Sequence, residues 1–434
     1  MCSGATGDGF ESPVSSRSQN RSTTRGESDC CIASARDRKA VHDTKTLAAQ
    51  SGRQCHPKTN DDKRPTGATK TVPSGSSKRV KGGALGGSDV ALLIGMDEAG
   101  LGPNLGPFVV AVTVWEVKGR PEDFDFWTAF DTILTNAPTP TDSRLHVADS
   151  KQIFQPQRGL SALERGVWSA MHLCGAATTS FANLCATMRP TPPPSIPAPV
   201  TTAPPKRGGL FSEDELSAAR PPCDTARIDE DHHPLPWYAG YDCPLPVEAH
   251  DLALLEPWQK LCKKLRVKLV CVRAEVVEPL RFNRLVRYYD NKAQATSRLA
   301  MNLLRSVWQP DQAALIVADK HGGRNRYDGL LSETFGQPVD CVEEGAERST
   351  YRLGKGELRF QPRAESHGPV ALASMTAKYL RELAMHHFNK YWTEKLPELK
   401  PTAGYPNDAK RFREEIVVEQ RRLGILDDYL WRER

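Results

Sequence analysis

Two adjacent acidic residues, Asp97 and Glu98, end an apolar run and are the residues best placed to do chemistry. The run before them, 91–96, predicts a buried strand, and the run after a Gly/Pro-rich turn, 108–115, predicts a second one. Because neighbouring strand residues point to opposite faces, both carboxylates can serve one site only if the backbone bends, which the glycines of the turn permit. A buried carboxylate needs a cation or donors, and a hard divalent metal ion is the partner that suits it best. A surface turn that happens to contain the pair is the alternative.

A third carboxylate, Asp319, stands at the end of another apolar run, 314–318. The loop behind it is basic and includes Arg324 and Arg326, which are candidates for contact with a phosphate group. A carboxylate at a strand end beside cationic donors suits a metal ion bound together with a phosphate. The alternative is a helix N-cap with a solvated basic face. His321 is the one histidine near these residues that could act as a general base.

A helix predicted over 369–391 carries Ser374, Lys378 and Glu382 four residues apart. This spacing places the three side chains on one face of the helix. A Lys–Glu pair four residues apart is also common on solvated helices, so the spacing alone leaves a purely structural role open.

The segment from Gly95 to Pro107, GMDEAGLGPNLGP, resembles the first motif of the ribonuclease H type 2 family, G-[IVM]-D-E-A-G-R-G-P-x-x-G-P. Leu101 stands where the family usually has arginine. The strand end at Asp319 matches the aspartate of the family's Asp-Gly pair, while the residues after it differ. The segment 371–382, ALASMTAKYLRE, resembles the family's A-A-A-S-I-x-A-K-V-x-R-D.

Three shorter segments match the family as well. They are Asp149-Ser150-Lys151 for D-S-K, residues 291–301 for N-x-x-x-A-T followed by A-M, and Gly404-Tyr405 for G-Y. All the matches occur in the family's order between residue 91 and about residue 424. The Pro-rich stretch between them and the residues before 88 lie outside the resemblance.

The resemblance implies a ribonuclease H-like α/β fold, with a central mixed β-sheet flanked by helices and a C-terminal helical segment. It implies two Mg²⁺ or Mn²⁺ ions held by four catalytic carboxylates: Asp97, Glu98, Asp319 and Glu382. The residues expected to contact the substrate are Gly100, Leu101, Gly102, Ser150, Lys151, Arg324, Arg326, Lys378 and Tyr405. A glutamate at 382, where most type 2 enzymes have aspartate, and the leucine at 101 are similar to the ribonuclease HIII group.

The function that the resemblance implies is hydrolysis of the RNA strand of RNA–DNA hybrids, or of DNA with embedded ribonucleotides. Cleavage by two-metal-ion catalysis would leave 3′-hydroxyl and 5′-phosphate ends. Tyr405 favours recognition of a single ribonucleotide, whereas Leu101 and Glu382 disfavour it. Two alternatives stay open: a weakly active or inactive protein of this fold that binds hybrid or duplex nucleic acid, and a nuclease of this fold that acts on another DNA structure.

Composition divides the chain of 434 residues into four parts. Residues 1–88 are polar and poor in aromatic residues, which predicts a disordered tail. Residues 89–188 and 247–434 are expected to form the two parts of the ribonuclease H-like domain. Between them, 189–246 is a Pro-rich insertion whose end, 235–241, is aromatic enough to pack on the core.

The predicted elements alternate between strands and helices, which favours a mixed α/β layer fold. Beyond those already named, strands are predicted at 175–187 and 267–272, a hairpin at 351–361, and helices at 123–137, 161–171, 249–265, 291–308 and 408–423.

Charge and cysteine content indicate which partners and which cellular compartment suit the protein. The net charge of +5 suits a polyanionic partner. The 11 cysteines form no C-x-x-C pair, which favours a reducing cytosol over a disulfide framework or a zinc site. No signal peptide and no membrane-spanning stretch is recognisable. We therefore expect a cytoplasmic monomer that binds no membrane.

Overall fold

The computed structural model describes residues 90–190, 235–248, 251–321 and 323–433. The predicted tail at 1–88 and most of the predicted insertion at 189–246 lie outside these residues. Within them, the chain forms a seven-stranded mixed sheet with helices on both faces, which confirms the predicted α/β class.

The sheet has the strand order β5-β2-β1-β6-β9-β8-β7. Its strands are β1 (Val90–Ala99), β2 (Phe108–Lys118), β5 (Lys268–Val277), β6 (Ala314–Asp319), β7 (Asp340–Glu344), β8 (Ser349–Leu353) and β9 (Gly356–Gln361). A separate two-stranded pair consists of β3 (Leu134–Thr135) and β4 (Leu145–His146). β1 runs antiparallel to β2 and parallel to β6, and β6 runs parallel to β9. The carboxyl ends of β1, β6 and β9 therefore meet at one edge of the sheet.

Eleven α-helices lie within the described residues. They are α1 (Phe126–Ala129), α2 (Ser150–Ile153), α3 (Ser161–Leu173), α4 (Phe181–Met188), α5 (Leu255–Leu265), α6 (Pro279–Tyr289), α7 (Lys292–Val307), α8 (Asp328–Phe335), α9 (Gly368–Lys395), α10 (Pro406–Arg422) and α11 (Asp427–Leu430). Short 3₁₀ turns occur at Pro121–Asp123, Pro156–Arg158, Pro236–Tyr238 and Ala364–Ser366. None of the described helices combines the length and the apolar character that crossing a bilayer requires.

Two apolar cores sandwich the sheet. On one face, α3, α5 and α9 pack against side chains such as Leu93 and Trp115. On the other face, α6, α7 and α8 pack against Ile94 and Met96. Residues of β1 are thus buried on both faces, which explains why this strand appears in the sequence as a continuous apolar run rather than as an alternating one.

A third apolar cluster joins the second half of α9 to α10 and to the end of the predicted insertion. Trp237 is buried there, with its ring centroid 5.1 Å from that of Phe388. The interpretation of 235–241 as an aromatic segment that packs on the core is confirmed. Since this Trp is enclosed by helix side chains, it offers no exposed surface for base stacking.

Two elements were predicted wrongly. The sequence 123–137 indicated a helix, but the structure has only the short helix α1 at Phe126–Ala129 and the strand β3 at Leu134–Thr135 there. The sequence 175–187 indicated a strand, but the structure has helix α4 at Phe181–Met188. The side-chain oxygen of Ser180 accepts a hydrogen bond from the backbone N–H of Asn183 and caps the helix. Three buried apolar residues spaced by three and four positions, Phe181, Leu184 and Met188, form its inner face.

Gly95 in β1 allows the start of α9 to approach the sheet. A Cβ at this position would lie 2.2 Å from the carbonyl carbon of Pro369 and 2.3 Å from the nitrogen of Val370. Both contacts are with backbone, so they cannot be relieved by a side-chain rotation. This close approach brings α9 against the strand that carries Asp97.

We expect Gly95→Ala to lower the free energy of unfolding by about 1–3 kcal/mol or more, because overpacking must push α9 away from β1. Urea denaturation of the two proteins measures the difference. Gly329→Ala is the matched control, since a Cβ there meets nothing within 4 Å. Equal destabilisation by both substitutions would contradict this close approach of helix and strand.

Candidate active site

Three carboxylates converge at the carboxyl edge of the sheet. Asp97 ends β1, Asp319 ends β6, and Glu365 lies in the 3₁₀ turn between β9 and α9. One carboxylate oxygen from each residue lies within 4.8 Å of the others. They come together because β1, β6 and β9 are parallel neighbours, so that the residues after each strand emerge at the same edge. An all-oxygen group of this kind suits Mg²⁺ or Mn²⁺.

Glu98 lines the same cleft, but its carboxylate is not part of the three-carboxylate group. One of its carboxylate oxygens lies 3.8 Å from Nε2 of His321, a residue outside the three-carboxylate group. The bend that would turn both carboxylates to one face does not occur at the pair, because β1 stays regularly paired through Asp97, Glu98 and Ala99. The backbone turns at Gly100, whose φ is +88°, and the alternation of Asp97 and Glu98 stays in place. Glu98 is therefore a neighbour of the three-carboxylate group rather than a member of it.

Glu382, predicted as the fourth metal ligand, is not brought into this group. Its carboxylate forms an ion pair with Lys378, one turn earlier on α9. Glu365, which was not among the predicted residues, is the third member of the group. The pairing is the structural role that a Lys–Glu spacing of four residues left open.

Burial and mutual repulsion raise the pKa values of the clustered carboxyl groups. The pKa of Asp97 rises from 3.8 to about 7, chiefly through burial, with smaller contributions from Glu365 and Asp319. Burial also raises the pKa values of Glu98, Asp319 and Glu365. Oδ1 of Asp319 is buried and has no hydrogen-bond partner within the described residues. Repelling carboxylates and an unpartnered buried oxygen both fit a site built for a divalent cation.

We expect the stability of the metal-free protein to fall as the pH rises from about 4 to above 7. Asp97 holds its proton more tightly when folded (pKa about 7) than at its ordinary pKa of 3.8, so the folded state binds more protons across this range. The loss is on the order of 2–4 kcal/mol. Urea denaturation in a chelator at pH 5 and pH 8 measures it.

Asp97→Asn should flatten this dependence, because asparagine cannot ionise. Mn²⁺ should stabilise the original protein more at pH 8 than at pH 5, because it binds the ionised carboxylates. A metal-free protein that is more stable at pH 8 than at pH 5 would contradict the description of the cluster as strained by burial.

Two serines orient Asp97. The Ser374 hydroxyl forms a hydrogen bond with the Asp97 carboxyl group, and this bond partly offsets the rise in its pKa. Ser374 Oγ also lies 3.1 Å from Oγ of Ser150 and accepts a hydrogen bond from the Ser150 backbone N–H at 3.3 Å. Ser150, predicted as a substrate contact, is buried, so its observed contact is with Ser374.

Of the predicted cations, Lys151 and Lys378 line the cleft. Burial opposes the charge of Lys151, but the nearby carboxylates of Asp149, Glu365, Asp97 and Asp319 raise its pKa on balance. Nζ of Lys378 lies 4.5 Å from the ring centroid of Phe154. Both ammonium groups can meet a phosphate that approaches the carboxylates.

The structure does not bring Arg324 and Arg326 to the cleft. Nε of Arg326 lies 3.3 Å from Glu344, and its side chain is largely exposed. The guanidinium of Arg324 lies 5.9 Å from the ring centroid of Tyr327. Lys320, from the same loop, does line the cleft and was not among the predicted residues. His321 is buried, and burial lowers its pKa to about 4, so it is uncharged at neutral pH.

The Gly-rich turn between β1 and β2 forms one wall of a cleft of about 380 Å³. Gly100, Leu101 and Gly102 line it, and Tyr405 stands at its rim with 54% of its surface exposed. Gly100 needs its left-handed conformation, and a Cβ there would lie 2.7 Å from the carbonyl oxygen of Pro107.

Arg381, on α9, joins this turn to the segment that carries Tyr405. Its side chain is buried and donates hydrogen bonds to the carbonyl oxygens of Pro107 at 2.6 Å, Leu105 at 3.1 Å and Ala403 at 3.2 Å. Sequence reasoning included Arg381 only as a letter of the helix motif. Its spacing from Ser374, seven residues or two turns, places both on the inner face of α9 and could have marked it.

The solved structures that are similar to this chain include three with the following identity, coverage and TM-score. Ribonuclease H2 from Pyrococcus horikoshii OT3 is 12% identical, with 78% of this chain and 92% of that chain covered and a TM-score of 0.33. RNase HII in the PCNA:RNase HII complex from Archaeoglobus fulgidus is 15% identical, with 79% and 94% covered and a TM-score of 0.30. RNase H3 from Aquifex aeolicus is 14% identical, with 78% and 70% covered and a TM-score of 0.29.

All three are ribonucleases H. No family model matches the sequence, and no curated protein matches it. The similarity to these ribonucleases H is structural and distant.

Proposed function

We propose that this protein is a metal-dependent endoribonuclease that hydrolyses the RNA strand of RNA–DNA hybrids and leaves 3′-hydroxyl and 5′-phosphate ends. One observation carries the proposal: the carboxylates of Asp97, Asp319 and Glu365 converge beside a Gly-rich turn that resembles the first motif of the type 2 ribonucleases H. The cleft thus combines a place for hard cations with a wall that matches the family's substrate-binding segment.

The carboxylates of Asp97, Asp319 and Glu365, with Glu98 beside them, would hold the divalent cations. Bound there, Mg²⁺ or Mn²⁺ would activate a water for in-line attack on phosphorus and stabilise the leaving oxygen. Ser374 keeps the Asp97 carboxylate oriented towards the cleft. Lys151 interacts with these carboxylates electrostatically, so its ammonium group is placed to contact a phosphate bound at the cations and to offset part of the phosphate's negative charge.

Recognition of RNA requires contact with the 2′-hydroxyl group. The backbone of Gly100, Leu101 and Gly102 lines the cleft and supplies polar groups that do not depend on the side chain at 101. Tyr405 is exposed at the rim and offers a ring face to the sugar beside the cleaved phosphate. These two features favour activity on a single embedded ribonucleotide as well as on longer hybrids. We further propose that the protein works as a cytoplasmic monomer.

Three labelled duplexes test this proposal with the full chain. They contain one embedded ribonucleotide, a short ribonucleotide run, and a complete RNA–DNA hybrid, each with Mg²⁺ and with Mn²⁺. The proposal is supported if at least one duplex is cut to leave 3′-hydroxyl and 5′-phosphate ends and if Asp97→Asn abolishes this cleavage. Failure of the purified protein to cut any of the three with either metal would reject it.

A catalytically inactive protein that binds hybrids is the second candidate, and Leu101 favours it because the family's guanidinium is missing there. The two candidates differ in metal dependence. Hybrid binding that is equally tight in chelator and in Mn²⁺, without cleavage, would support the binding protein.

A further inference from the structure

The segment after α11 lies along the Gly-rich turn. Leu105 and Trp431 form an isolated antiparallel bridge. The backbone N–H of Arg432 donates to the carbonyl oxygen of Asn104 at 2.8 Å, and Nδ2 of Asn104 donates back to the carbonyl oxygen of Arg432 at 3.5 Å. Residues 431–433 thus pair with the turn as a short strand would.

The side chain of Arg432 adds a contact that the backbone pairing does not need. It is 3% exposed, and its Nη2 donates a hydrogen bond to the carbonyl oxygen of Pro103. Its Nε and Nη1 are buried without a hydrogen-bond partner in the described part of the chain. Burial and the neighbouring Arg381 lower its pKa to about 9, so it still carries its charge at neutral pH.

The turn is held on its other side as well. The backbone N–H groups of Asn104 and Leu105 donate to the carbonyl oxygen of Gly404 at 2.8 and 3.3 Å. Arg381 holds the carbonyl oxygens of Leu105 and Pro107. The turn therefore has polar contacts from two directions, while Gly100, Leu101 and Gly102 remain directed at the cleft.

Segment 431–433 is itself anchored to the body of the fold. Nδ2 of Asn283, on α6, donates to the carbonyl oxygen of Trp431 at 2.7 Å, and the backbone N–H of Glu433 donates to Oδ1 of the same Asn283 at 2.8 Å. Arg287 binds the carboxylate of Glu433. α6 packs in one of the two main cores and is therefore held in place. Residues 431–433 are hydrogen-bonded both to α6 and to the turn, so they connect the turn to this core.

We propose that residues 431–433 act as a clamp, and that Arg432 is a positioning residue that fixes the Gly-rich turn in the shape that binds nucleic acid. Two nitrogens of this buried guanidinium form no hydrogen bond, and the Phe282 ring, whose centroid lies 5.0 Å from the guanidinium carbon, offsets only part of the cost of burying the charge. An apolar side chain of similar volume would fill the space at lower cost. The hydrogen bond to Pro103 gives Arg432 a purpose that packing alone would not require. The effect on cleavage rests on the proposed function, whereas the effect on the turn does not.

Hydrogen–deuterium exchange of the full chain tests the clamp without any substrate. In Arg432→Gln, the amides of Asn104 and Leu105 are expected to exchange about tenfold faster or more, with the amides of β1 and β2 unchanged. Arg413→Gln is the matched control. Arg413 pairs with Asp427 at 2.8 Å and lies 5.1 Å from the Trp431 ring centroid, so it touches the same segment without reaching the turn.

Cleavage kinetics supply the second measurement. Arg432→Gln should raise KM for the best of the three duplexes about ten- to hundredfold. The Mn²⁺ concentration for half-maximal activity should stay unchanged, because the carboxylates belong to other elements. Arg432→Lys keeps the charge and one donor and should give intermediate exchange and an intermediate KM. It also serves as the test variant if the glutamine variant does not fold.

Unchanged exchange at residues 104 and 105 in the folded variants would overturn the clamp. Faster exchange with an unchanged KM would also overturn it, because the shape of the turn would then not matter for binding. If the unsubstituted protein cuts none of the duplexes, the proposed function fails, and the exchange experiment alone decides whether Arg432 orders the turn.

Discussion

Asp97→Asn is expected to lower kcat for hybrid cleavage by about 10³-fold or more, with a much smaller effect on KM. Asparagine has nearly the same size and keeps one oxygen, but it removes the charge that holds a cation between Asp97, Asp319 and Glu365. A loss of several kcal/mol of transition-state stabilisation corresponds to that change in rate. Single-turnover cleavage of the preferred duplex at saturating Mn²⁺ is the measurement.

A measurement of the free energy of unfolding distinguishes a loss of catalysis in Asp97→Asn from misfolding. Burial raises the pKa of Asp97, so its ionised form destabilises the metal-free protein, and Asp97→Asn should be at least as stable as the original at pH 8. Asp142→Asn is the matched control, since Asp142 pairs with Arg144 and is not one of the residues that line the cleft. We expect that variant to retain its kcat within a factor of about two. An Asp97→Asn variant that cleaves at the original rate would remove Asp97 from the chemistry.

Much of the strand framework of the site could be predicted because it is encoded locally. β1 and β2 are continuous apolar runs joined by a Gly/Pro turn, and β6 is a short apolar run that stops at Asp319. Central strands of a sheet covered on both faces have this pattern. The observed hairpin of β8 and β9 around Gly354 confirms the hairpin predicted at 351–361, since two glycines mark its turn.

Features that depend on distant contacts could not be read from local patterns. Helix α4 is short, and its apolar face becomes recognisable only when the Ser180 cap is known. Arg432 and Arg381 meet the Gly-rich turn from positions more than 270 residues away in sequence. No periodicity marks such contacts, because they are hydrogen bonds from a single side chain to carbonyl groups of another segment.

Glu365 could not be predicted for the same physical reason. Glu382 lies on a long, regular helix, where the spacing of four residues makes a shared face easy to predict. Glu365 lies in a single 3₁₀ turn between β9 and α9, where side-chain direction follows no period. Only the sheet topology reveals that this turn leaves the same edge as Asp97 and Asp319.

Glu365→Gln is therefore expected to lower kcat by about 10²–10³-fold, whereas Glu382→Gln should change it less than about tenfold. Glutamine keeps the size of both side chains and removes one charge. At 365 the lost charge faces Asp97 and Asp319, and at 382 it faces Lys378. Cleavage of the preferred duplex across a range of Mn²⁺ concentrations measures both, with the metal requirement rising only in Glu365→Gln.

Each of the two variants is the control for the other, because both replace a glutamate near the cleft with glutamine. Glu382→Gln frees the ammonium group of Lys378 from its partner, so a modest gain in affinity for the duplex is expected from that variant. The opposite ranking, with Glu382→Gln inactive and Glu365→Gln active, would restore the assignment drawn from the helix motif. It would also mean that α9 rotates or shifts when metal and nucleic acid bind, because Lys378 otherwise holds the Glu382 carboxylate outside the three-carboxylate group.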